Sequence, residues 1–131
     1  MASIVLALSA CATAYQPQGL TGGFSDTQLD TNIFRVSFDG NGYTNAQRAE
    51  EMALLRSAEI TLKNGFTHFI IIDGRSTSEH GTLTTLVAAK PNTTNTIVCF
   101  PERPKFNGMV YDARLVFNSL GQRLGAGSAP K

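Results

Sequence analysis

At 131 residues, 42% hydrophobic and 16% charged, the chain has the size and composition of one globular domain. A formal net charge of +1, with Arg and Lys scattered along the chain, lacks the electrostatic footprint of a nucleic-acid binder, so no nucleic-acid partner is expected. Cys11 and Cys99 are too few for a disulfide framework, and no apolar run approaches the roughly 18 residues of a membrane-spanning helix.

Ile4 to Ala10 form a short apolar run that ends in Leu8-Ser9-Ala10-Cys11. A branched apolar residue, two small residues and then Cys is the lipobox pattern of bacterial lipoproteins. Small side chains at Ser9 and Ala10 let the backbone enter a signal peptidase. The Cys11 thiol would take a diacylglyceryl group before cleavage, and the freed amine a further acyl chain such as palmitate. Two or three chains anchor stably where one is marginal. The expectation is therefore a signal peptide over 1–10 and a lipidated Cys11. Met1-Ala2-Ser3 carries no Lys or Arg, and the other reading of this run is a buried N-terminal strand in a soluble cytosolic protein.

Residues 12–31 hold few large apolar side chains and two turn-forming clusters, Gln16-Pro17-Gln18-Gly19 and Thr21-Gly22-Gly23. They read as a tether over 11–31 spanning about 25 Å on average. Ala12 follows the modified Cys where an Asp would signal inner-membrane retention, which favours the periplasmic face of the outer membrane.

The body is expected over 32–124, with a frayed tail at 125–131. Ile33 to Phe38 alternate, with Phe34, Val36 and Phe38 on one side and Arg35 and Ser37 on the other, as in a half-buried strand. Asp39-Gly40-Asn41-Gly42 supplies turn chemistry, and Thr44 with Gln47 forms a capping box for a main helix over about 45–63, closed by Asn64-Gly65. The helix has a narrow polar stripe (Arg48, Arg56, Glu59, Lys63), and the alanines opposite suit close packing on a sheet.

Thr67 to Asp73 is apolar on both faces and predicts a central strand. Strand, helix and strand suggest a βαβ unit with two parallel strands, adjacent or with another strand between them. Gly74 to Gly81 reads as a polar loop. Thr82–Ala89 and Asn95–Phe100 read as a hairpin joined through residues 90–94. Residues 108–124 fit either a strand or a helix face; the favoured reading is a short strand to Tyr111, then a helix capped by Asp112. The fold class is α+β, or α/β, with a mixed three-to-five-stranded sheet, one main helix and a short C-terminal helix.

Several blocks, CATAYQP, GGFSDTQLD, FRVSFDGNGYT and ALLRSAEITLKNGFTHFII, resemble a family of small proteobacterial lipoproteins of uncharacterised function. The similarity runs from Cys11 to about Arg75, with weaker echoes in VCFPERP and YDARLVFNSL. It implies an acylated Cys11 and an envelope location, and brings no activity, substrate or catalytic residue.

Gly40-Asn41-Gly42, between strand and helix, is placed like a pyrophosphate loop, but Asn45 stands where the third glycine of the fingerprint belongs, so a plain turn is expected. Asp73, Glu79 and His80 lack metal-ligand spacing, and His68 belongs to a strand start. Cys99 lies in an apolar run and reads as an inert core thiol. No catalytic residue, cofactor or metal is expected. Arg56 and Glu59 could dock the tether by pairing with Asp26 or Asp30. The function expected is a membrane-anchored periplasmic lipoprotein acting as a non-enzymatic envelope interaction or structural module, with an envelope protein as partner. The alternative is a small-ligand-binding or enzymatic domain using the Gly40–Thr44 turn and the Gly74–Gly81 loop.

Overall fold

The computed structural model describes residues 15–17, 22–40, 45–79 and 90–124. In chain order these form β1 (Gly23–Asp30), β2 (Ile33–Asp39), α1 (Ala46–Lys63), β3 (His68–Glu79), β4 (Lys90–Phe100), β5 (Tyr111–Asp112) and α2 (Ala113–Leu124). The strands make one sheet in the order β1-β2-β4-β3-β5, and the fold is α+β.

The alternation in β2 does what its period requires. Phe34, Val36 and Phe38 are buried, while Arg35 points the other way and is exposed. Each of those three side chains contributes about 1.5–3 kcal/mol by leaving water. They face α1, which packs across β2, β4 and β3. Every fourth residue of the α1 face is small and fully buried: Ala49, Ala53, Ser57 and Thr61. The two hydroxyls among them are satisfied within the helix, Ser57 donating to the Ala53 carbonyl and Thr61 to the Ser57 carbonyl, both at 2.8 Å. Small side chains let the helix settle close to β4, where Thr61 Oγ1 lies 3.3 Å from Cys99 Sγ.

Asn45, one residue beyond the expected Thr44, caps α1: its Oδ1 accepts from the Arg48 N–H at 2.7 Å. At the other end Gly65 takes φ +85°, the left-handed geometry that releases the chain from the helix, and Asn64 returns its side-chain amide to the Ile60 carbonyl at 2.8 Å. Asp112 caps α2 by accepting from the Leu115 N–H at 3.1 Å, and β5 precedes it as a short strand whose Tyr111 stacks on Phe69 at 5.0 Å.

Four expectations need correction. First, every pairing between neighbouring strands is antiparallel, so the sheet is not mixed. β2 and β3 do run in the same direction, but because each is antiparallel to β4, which lies between them.

Second, the tether drawn over 11–31 is part of the body in its later portion. Residues 23–30 are the edge strand β1, paired with β2 from Gly23↔Asp39 onward. Its polar sequence hides it, because an edge strand held by backbone bonds needs little apolar surface. Residues 15–17 lie along its outer side: the Phe24 N–H donates to the Gln16 carbonyl at 2.7 Å. Gly23 has no room for a side chain there, since a Cβ would stand 2.3 Å from the Gln16 carbonyl oxygen.

Third, Gly74 to Glu79, expected as loop, continue β3. Fourth, residues 90–94 are not a hairpin turn but the first half of β4, each paired with β3. Both stretches are polar and β-ladder-forming at once. Thr hydroxyls meet across strands, as in Ser76–Thr93 at 3.2 Å and Ser37–Thr94 at 3.0 Å, which satisfies them without an apolar pattern. The signal segment 1–10, Cys11, His80, the strand expected at 82–89 and the tail at 125–131 lie outside the described residues, as do 41–44 of the Gly40–Thr44 turn and 80–81 of the Gly74–Gly81 stretch.

Candidate functional site

The two residues singled out for docking lie one turn apart on α1, and β1 brings a carboxylate to them. Asp26 is on the helix side of β1, in register with the buried Val36. Arg56 spans both acids. Its Nε and Nη2 each lie 2.9 Å from Asp26 Oδ1, and its Nη1 lies 2.8 Å from Glu59 Oε1. The guanidinium also sits 4.2 Å over the Phe24 ring. Asp30 is not brought to this group; its Oδ1 accepts from the Thr31 N–H.

Sequence reasoning missed two members of the cluster. The Tyr15 hydroxyl donates to Glu59 Oε1, and the Tyr15 ring packs on Phe24 at 4.8 Å. Residues 15–17 and β1 therefore meet the sequence-distant α1 on one charge-assisted network. Aromatic residues inside a Gly- and Pro-rich stretch were the available signal.

Electrostatics agree with the geometry. Burial pushes the Tyr15 phenol far above its ordinary value, and the adjacent Glu59 carboxylate adds to the shift. Desolvation pulls the Arg56 guanidinium down, but hydrogen bonds to Glu59 and Asp26 outweigh it and the net shift is upward. Neutral phenol, cation and two carboxylates are mutually satisfied, so the group is built to hold segments together.

A second feature is a cleft of about 450 Å³ between the first turns of α1 and the polar halves of β3 and β4. Glu50 and Leu54 form its helix wall, and Gly74, Ser76, Thr93 and Asn95 its strand wall. The Gly74–Gly81 stretch begins on the strand wall, and of the Gly40–Thr44 turn only Gly40 is among the described residues. At its rim Glu51 receives two hydrogen bonds from Arg123 of α2, each 3.1 Å.

His68 opens β3 and stands 3.9 Å from Asp112. Cys99 is buried, and burial pushes its thiol pKa up. Among the described residues no group of three His, Cys, Asp or Glu side chains could hold a metal ion, and no helix is long and apolar enough to cross a membrane. Comparison with family models, with curated proteins and with solved structures finds no match for this chain.

Proposed function

We propose that this chain is a lipoprotein anchored at the periplasmic face of the outer membrane through Cys11, and that its α+β domain is a non-enzymatic interaction module for an envelope protein. The observation that carries this reading is Leu8-Ser9-Ala10-Cys11 after an apolar run. The docking of Tyr15 on Glu59 supports it by giving the anchor a mechanical consequence. Three residues separate Cys11 from Tyr15, and the four Cα-to-Cα steps reach at most about 14 Å. A lipidated Cys11 would therefore hold the body flush against the bilayer, with the β1 edge nearest the membrane.

The test is metabolic labelling with a clickable fatty acid, comparing the chain expressed from its own genomic start with Cys11→Ser. Label on the first alone supports the anchor. No label on either, with the protein in the soluble fraction, removes it.

The cleft favours a second reading, a small-ligand-binding domain. A compound that raises the melting midpoint of the wild type, and not of a Ser76→Trp variant with the cleft filled, would select that reading. A protein recovered by crosslinking in intact cells selects the first.

A further inference from the structure

Among the described residues, the far edge of the sheet is largely uncovered. β5 covers β3 at two positions only, His68 and Phe69. From Ile70 onward, the outer side of β3 has no strand partner among the described residues. An edge of that length is a template for another strand, and proteins blunt such edges with charged side chains, Lys above all. At its centre this edge carries one charge of each sign, which a second copy can satisfy. Asp73 and Arg75 flank Gly74 and share a face, through Thr96 and Thr94, with Arg35 and Ser37 of β2, opposite the buried side of that strand; their side chains are 52% and 75% exposed and 3.2 Å apart.

That arrangement is self-complementary. We propose that two copies of this chain associate through their β3 edges, antiparallel, about a two-fold axis at Gly74. Opposed residues in such a pair have numbers that sum to a constant. A two-fold at Gly74 therefore sets Asp73 against the partner's Arg75 and Arg75 against the partner's Asp73. Each intrachain ion pair is exchanged for a cross-strand one, and both rows are attractive.

Two further observations select this register. The free edge begins at Ile70, where β5 stops, and β3 ends at Glu79, so the available run is centred on Gly74 to within a residue. Glycine at the axis leaves the two backbones free of opposed side chains at their closest approach. Ile72, the residue left without a β4 partner by the bulge between Ile71 and Asp73, is 56% exposed beside this centre and would lose water on association. The result is a continuous ten-stranded sheet with the helices of both copies on one side.

Sedimentation equilibrium on the full chain, carrying Cys11→Ser so that no acyl chain drives association, tests this with four proteins. The parent chain is expected to dimerise. Asp73→Arg and Arg75→Asp each set like charges opposite one another in both rows, and each should weaken the dimer by about tenfold or more. The double swap, Asp73→Arg with Arg75→Asp, restores opposite charges and should restore the dimer. Both side chains are exposed, so the four melting midpoints measured at a concentration where all are monomeric should agree, which separates loss of association from loss of fold. A monomeric parent overturns the proposal. So do single reversals that dimerise like the parent, or a double swap that stays as weak as the singles.

Discussion

Arg56 on α1 and Asp26 on β1 are separated by 30 residues in sequence and by 2.9 Å in space. That contact ties the edge strand β1, in a segment that otherwise reads as linker, to the helix. It is partly shielded, with the Arg56 side chain 14% and the Asp26 side chain 26% exposed. Arg56→Ala should cost about 1–2 kcal/mol, less than a fully buried pair because Asp26 keeps contact with water. Urea unfolding measures the loss, and limited proteolysis should show faster cleavage on the N-terminal side of β2. Unchanged values on both would mean that β1 is held by its backbone ladder alone.

Tyr15 gives the same clasp an alkaline limit. Its folded pKa lies far above the ordinary 10.0 because of burial first and Glu59 second. Above pH 10 the unfolded chain releases this proton while the folded chain retains it, so stability falls as pH rises. The contribution is fully present below pH 10. Tyr15→Phe should flatten the loss between pH 10 and 11 relative to the parent, measured as urea midpoints across that window.

Glu51 sets a limit on the acid side. The hydrogen bond from Arg123 is the main cause of its lowered pKa. A lowered carboxyl pKa contributes stability above the unfolded value of 4.5 and loses it as pH falls through the folded value. Glu51→Gln should therefore be less stable than the parent at pH 7 and approach it as the pH falls below 4.5. Parallel curves over that range would show that the contact does not tie α2 to α1.

Gly65 isolates a backbone effect. It holds φ +85°, and no atom lies within 4 Å of where a Cβ would stand. Gly65→Ala meets no clash, so its expected cost of about 1 kcal/mol is conformational only. A cost near zero in thermal unfolding would mean that the helix end relaxes out of the left-handed region.

Cys99 reports on opening. Its side chain is fully buried and its thiol pKa is raised, so the thiolate is scarce and inaccessible. In a Cys11→Ser chain, labelling by a thiol reagent should be negligible under native conditions and should rise along the urea unfolding curve. Rapid native labelling would place Cys99 in a locally opening segment.

The elements legible in the sequence are those whose own side chains force the answer. β2 alternates with period two, α1 carries a small-residue row at every fourth position, and the apolar half of β3 runs through Phe69, Ile70 and Ile71. Such patterns are local, because an apolar face needs burial whatever its partner. Asp112 could likewise be read as a cap, since an Asp three residues before a free N–H is a local arrangement. Arg56 and Glu59 stood out as members of the polar stripe on α1.

What only the tertiary structure decided is where backbone pairing substitutes for hydrophobicity. β1, the outer half of β3 and the first half of β4 are polar strands, held by backbone pairing to neighbouring strands rather than by an apolar face of their own. The placement of β4 between β2 and β3 is likewise non-local; it leaves those two running in the same direction while making every pairing in the sheet antiparallel. Tyr15 joins the clasp only because Gly23 leaves room for the chain to lie against β1. A side-chain pattern can announce a buried face, but a strand's partner is set by the folded arrangement of the whole chain.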